Sequence, residues 1–104
     1  MKRNTPDHRS VSHEQRVIER LRKDPLFASE YLKAAMEDED EPRVLLIALR
    51  RIAEARGGIT QIARKAGIER ESLHRALSAH GNPRFSTLSA VAKAVGLRLT
   101  VEPV

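Results

Sequence analysis

The stretch that decides the fold is TQIARKAGIERESLHRAL, residues 60–77. It predicts two short helices, Gln61 to Ala66 and Arg70 to Leu77, joined through Gly67-Ile68-Glu69. Thr60 stands where the first helix needs an N-cap and Glu69 where the second needs one. Gly67 supplies the left-handed backbone that a tight turn between helices favours. Ile62, Ala66, Ile68, Leu73 and Leu77 form the set that holds the pair together, with the small Ala63 at the crossing. Ile68 and Leu73 have the spacing of a hydrophobic staple across the second cap. What remains on the second helix faces outward: Arg70, Glu71, Ser72, His74, Arg75 and Ser78. This is the layout of a helix-turn-helix.

Upstream, residues 42–56 read PRVLLIALRRIAEAR. Leu45, Ala48, Leu49, Ile52 and Ala53 make one broad apolar face, and Gly57-Gly58 ends the helix. Before it, Asp24-Pro25 is a cap followed by proline at the first helical position. That helix should run to about Glu37, with Phe27, Tyr31 and Ala35 at four-residue steps. Ser12 and Gln15 have capping-box spacing for a shorter helix carrying Val17, Ile18 and Leu21. Residues 1–11 read as a flexible arm.

Downstream, residues 78–83 are loop, Ser86 caps a helix from Thr87 to Val95, and Gly96 stops it. Leu97, Leu99 and Val101 then alternate with Arg98, Thr100 and Glu102, the period of a strand. The expected architecture is all-α with a short C-terminal β-strand. Residues 1–23 are an arm and short helix, 24–41 a helix plus acidic linker, and 42–104 the helix-turn-helix domain.

Composition narrows the function classes. The chain has 104 residues, 40% hydrophobic but only 3% aromatic, so one core must be built from aliphatic side chains. There is no cysteine, which excludes disulfides and thiolate zinc sites and fits a reducing compartment. No apolar run approaches the roughly 20 residues of a membrane span. The N-terminal MKRNTPDHRS lacks the apolar core of a signal peptide. A cytoplasmic, nucleoid-associated location is expected. His8, His13, His74 and His80 have no ligand partners at helical spacing, so neither a metal nor another cofactor is expected. No glycine-framed nucleophile turn supports catalysis, so the chain does not read as an enzyme.

Charge is the remaining signal. The net charge is +5. Residues 37–41 are the block EDEDE, whereas residues 42–104 hold eleven basic and four acidic side chains. The C-terminal part is therefore suited to a polyanion. Arg70 can fork onto the two acceptors of guanine, and Glu71 can accept from a cytosine amine. Ser72 suits a base edge or a phosphate, and Arg75, one turn on, reaches a base or the backbone. His74 shares that face. Thr60 and Gln61 open the preceding helix, where hydroxyl, amide and free N–H groups bind phosphate. Alternatively, Glu71 pairs with Arg75 four residues on and merely orients it.

The segments ITQIARKAGI (59–68), RESLHRALS (70–78) and GNPRFSTL (81–88) resemble the antidote proteins of HigA-like addiction modules, within the wider Xre/Cro-like class. EYLKAAMED (30–38) and LLIALRRIAEARGG (45–58) extend the resemblance to roughly residues 24–102. It implies a lambda-repressor-like domain in a homodimeric antitoxin. Such a protein represses its own operon by binding a double-stranded DNA operator and neutralises a small basic RelE/ParE-like toxin. It further implies that Arg84, after the second helix, approaches the DNA backbone or minor groove while Asn82 braces the loop. Two other readings remain: a solitary Xre-like regulator, and a toxin-binding module that does not read DNA.

Overall fold

The computed structural model describes residues 5–38 and 40–104, with side chains from residue 13 onward. Among them are six helices and no strand: α1 (Thr5–Lys23), α2 (Pro25–Met36), α3 (Arg43–Ala55), α4 (Ile59–Ala66), α5 (Arg70–Ala76) and α6 (Phe85–Ala94). No helix of the described residues is long and apolar enough to cross a membrane.

The helix breaks follow local chemistry. Asp24 caps α2, its Oδ1 accepting from the Phe27 N–H at 3.1 Å, with Pro25 at the first position. Gly67 closes α4 at φ +72°, where a side chain would be strained. Three expected starts are displaced. The helix placed at Ser12 begins at Thr5, so residues 5–11 of the expected arm are helical and Ser12 is no cap. Pro6 lies in the first turn, where its missing N–H costs nothing. The first helix of the central pair starts at Ile59, behind Gly58, so Thr60 is inside it. The last starts at Phe85 behind Arg84, which leaves Ser86 in its first turn.

The expected C-terminal strand is also corrected. Residues 97–101 form neither helix nor strand, and Leu97 and Leu99 pack against the core while Arg98 and Thr100 are exposed. The period-two pattern therefore holds for residues 97–100 and fails at Val101, which is exposed. A strand needs a ladder, however, and among the described residues no backbone hydrogen bond joins residues 98–102 to another segment.

The helices form one core around α3, which packs on α1, α2 and α4; α4 in turn packs on α5 and α6. Leu46, Ala48, Leu49, Ile52, Ala53 and Ala55 of α3 are buried, so nearly half of this helix is interior. Leu21, Ile62, Leu73, Leu77 and Val91 complete the fully buried aliphatic centre with Leu49 and Ile52. Phe27 and Tyr31 sit half-buried at its margin with ring centroids 6.0 Å apart. The Arg20 guanidinium lies 4.1 Å from the Phe27 ring centre. Arg51 joins three helices: one nitrogen meets Glu14 at 2.9 Å and another donates to the Tyr31 hydroxyl at 3.3 Å. The Tyr31 hydroxyl first, and the Glu14 carboxylate with it, hold the Arg51 guanidinium above its usual pKa.

Arg56 is the polar tie. At the C-cap of α3 it donates Nε to the Leu21 carbonyl of α1 at 3.0 Å and Nη1 to the Val95 carbonyl beyond α6 at 3.2 Å. The C-terminal ends of α1, α3 and α6 converge here, and their partial negative charge favours a cation. Its Nη2 is buried without a hydrogen-bond partner. Replacing Arg56 by methionine keeps the length of the side chain but strands two carbonyls. Arg56→Met should therefore cost about 3 kcal/mol, read as a lower urea midpoint with an unchanged slope. An unchanged midpoint would show that the tie is dispensable.

Candidate nucleic-acid interface

The pair α4 and α5 presents its inner side to the core. Ile62, Ala63, Leu73 and Leu77 are buried, and Ala66 and Ile68 are half-buried. The Ile68 N–H donates to the Ala63 carbonyl at 2.9 Å, which locks the turn behind Gly67. With that side fixed, the other is forced outward. Thr60, Gln61, Arg70, Glu71, His74, Arg75, Asn82 and Arg84 are all exposed, and Ser72 is half-buried.

Two hydrogen-bonded strings run over this face. In the first, Arg70 donates Nε to the Thr60 hydroxyl at 2.8 Å and Nη1 to Glu71 Oε2 at 3.0 Å. It crosses from α5 to α4, so one arginine is held from two helices. In the second, the Ser72 hydroxyl donates to Glu69 Oε1 at 2.9 Å and accepts from Arg75 Nη2 at 3.5 Å. The expected four-residue pair between Glu71 and Arg75 is not formed; Glu71 turns to Arg70 instead. Gln61 lies against Gly57, where an added methyl would meet its amide oxygen at 2.7 Å.

The structure thus joins Thr60, Arg70 and Glu71, and separately Ser72 and Arg75. Among the described residues Gln61, His74, Asn82 and Arg84 have no side-chain hydrogen bond to either string. Among the described residues the Asn82 side chain makes no hydrogen bond within its loop. The loop is held instead by Ser78, whose hydroxyl donates to the Arg75 carbonyl at 2.7 Å, and by the Gly81 N–H, which donates to the Ser78 carbonyl at 3.0 Å.

Glu69 was missed as a member of the face. Its position reads as an N-cap, yet its carboxylate makes no capping bond to the backbone of α5 and holds Ser72 instead. It also changes the electrostatics. Glu69 and Glu71 balance Arg70 and Arg75, so the α5 ridge is formally neutral with histidine uncharged. Arg84 is exposed in the loop after α5; Arg64 and Lys65 of α4 are exposed as well, and Lys65 lines a recess with Arg22, Arg56 and Gly96. Such a face can offer two arginine forks and two carboxylate acceptors to a polar surface.

Gly81 is the second omission. A Cβ there would run into the carbonyl of Ala76, within contact distance that no side chain tolerates. The sequence shows only a turn at this point. The glycine allows the chain to fold back over the end of α5 before presenting Asn82 and Arg84.

Against this geometry, a family model described as "Probable addiction module antidote protein" matches residues 13–103. An uncharacterized protein of Haemophilus influenzae (strain ATCC 51907 / DSM 11121 / KW20 / Rd) is 47% identical over 72 residues, covering 69% of this chain and 72% of that protein. No solved structure matches the chain.

The two turn glycines give a graded test. Gly67 has nothing near its open side, so Gly67→Ala should cost only left-handed strain, about 1–2 kcal/mol. Gly81→Ala must move backbone and should cost more than that. Thermal melts of the two variants should rank them in this order, and the reverse ranking would contradict the loop geometry.

Proposed function

The chain belongs to the family of probable addiction module antidote proteins, and from that premise we propose that it is an antitoxin that also reads DNA. In this reading α4 and α5 are a helix-turn-helix of the Xre/Cro-like, HigA-related kind, and a homodimer places two of them on a double-stranded operator of its own operon. The cognate toxin is a small basic protein of the RelE/ParE type.

One observation carries the DNA-reading part. On the outward side of α5, Arg70 is held by Thr60 and Glu71, and Arg75 lies 3.5 Å from the Ser72 hydroxyl, both on a rigid, aliphatic backing. Arginines held this way suit bidentate recognition of guanine, because the ordering cost is met before binding. Residues 70–72 lie at the N-terminal end of α5, the end that enters a major groove in this class of motif. Thr60 and Gln61 open α4, where phosphate is bound. Arg84 stands at the N-cap of α6, placed to reach the backbone or minor groove.

A second reading, an antitoxin that holds its toxin and does not read DNA, is favoured by the neutral charge of the α5 ridge. The two readings separate experimentally. Footprinting on the DNA upstream of the gene, with and without the neighbouring gene product, should show a protected, two-fold symmetric site. Arg70→Ala should weaken binding there by about 1–3 kcal/mol and relax the preference at one base. Affinity should fall steeply with salt. Lack of any protected site, with the toxin still bound, would leave the second reading standing.

The carboxylates make a further prediction. Glu71→Gln frees Arg70 and raises the charge of the ridge by one. Binding to random duplex should tighten while binding to the operator gains less, so the ratio of the two affinities falls. A variant whose two affinities both drop would contradict this role for Glu71.

A further inference from the structure

The segment after α6 has the chemistry of half a β-ribbon. Gly96 turns the chain out of α6, and residues 97–102 continue as neither helix nor strand, with Arg98, Thr100, Val101 and Glu102 exposed. The Leu97 N–H donates to the Ala92 carbonyl at 2.8 Å. Beyond it, among the described residues, no N–H from Arg98 to Glu102 donates to any protein group. A surface segment whose backbone groups are unpaired, with the alternating sequence of a strand, is a template for another strand.

The segment is also self-complementary. Two copies of it, run antiparallel about a two-fold axis at Thr100, place Thr100 opposite Thr100, Leu99 opposite Val101, and Arg98 opposite Glu102. The charged match therefore occurs twice, once on each side of the axis. Opposite charges, facing threonines and facing β-branched or aliphatic side chains are the pairs that stabilise antiparallel sheets. A shift of two residues either way removes both charge pairs. Pro103 has no N–H and closes the ladder at the right place.

The surroundings fit such a mate. Val101 is 94% exposed, and this register sets it beside the partner's Leu99. A groove of about 350 Å³ follows the segment from Leu97 to Glu102 along α2, with Ser29, Lys33 and the half-exposed Met36 on its far wall. In the single chain Glu102 is met only by Lys33, at 3.8 Å between exposed groups, a contact worth little. Arg98 has no ion pair among the described residues.

We propose that a second copy of this chain occupies that groove, its residues 98–102 pairing antiparallel with the same residues here, Arg98 of each copy opposite Glu102 of the other. This names the surface of the homodimer and rests on the chain being dimeric. It does not depend on DNA reading.

Charge reversal on the full chain tests it, because both residues are exposed and outside the core. By sedimentation equilibrium the unaltered chain should be a dimer at micromolar concentration. Arg98→Glu and Glu102→Arg should each weaken the dimer by about tenfold. The double variant restores both pairs in reversed sense and should return to within about threefold of the original. In hydrogen exchange, every second amide between residues 98 and 102 should be slowed in the dimer. Single reversals that leave a dimer intact would move the interface elsewhere and overturn this proposal while dimerisation stands. A double variant as weak as the single ones, with an unchanged urea midpoint, would overturn the register. A monomeric unaltered chain would overturn the dimer itself, whether or not DNA is bound.

Discussion

Everything in this molecule depends on the burial of α3. Six of its thirteen residues are interior, and three of those six, Ala48, Ala53 and Ala55, carry single methyl groups beside Leu46, Leu49 and Ile52. Small residues let α1, α2 and α4 approach one helix closely without aromatic spacers. Burying its large side chains contributes roughly 1.5–3 kcal/mol each. The aliphatic palette thus sets a crowded centre with short interhelical gaps. Arg56 extends that centre into polar territory, where three helix ends would otherwise leave carbonyls unpaired.

A rigid inner side is what gives the outer side its definition. Ile62, Leu73 and Leu77 are essentially inaccessible to water, so α4 and α5 cannot rotate without opening the core. Their outward residues then have fixed origins, and short hydrogen bonds orient Arg70 and Ser72. The cost of ordering arginine side chains is met within the folded chain and not at the moment of binding. The balance of charge on the ridge has a consequence of its own. In the proposed DNA complex the neutral ridge adds no diffuse attraction of its own, and its role is to distinguish polar patterns.

Much of this was legible in the sequence. The apolar period of residues 43–55 is written over three and a half turns, and Asp24-Pro25 and Gly67 are local signals with local causes. The outward set on α5 followed from subtracting the buried set. The failures share one physical origin. Thr60 and Ser86 are good capping residues by type, but a cap is decided by where the chain enters the helix, and that point lies two residues before each of them; Glu69 does stand at the N-cap of α5, yet its carboxylate makes no capping bond. Thr60 serves Arg70 and Glu69 serves Ser72 because those partners come from another turn or another helix. Arg56 and Gly81 were silent for a similar reason: the carbonyls that define them lie on other elements, or five residues back across a loop. The strand at residues 97–101 was half legible. Alternation describes a face, and a ladder requires a second backbone.

The bonding of Arg70 explains how a neutral ridge is compatible with selective recognition. Its Nε is taken by Thr60 and one terminal nitrogen by Glu71. A guanine offers two acceptors in line, and the guanidinium can meet both with its terminal nitrogens while Nε stays on Thr60. The anchor across the two helices survives, and only the Glu71 bond is exchanged. A base with one acceptor, or a lone phosphate oxygen, can take a hydrogen of Nη2 and gains one bond where guanine gains two. In the proposed complex the anchored guanidinium therefore favours the partner that offers two acceptors in line.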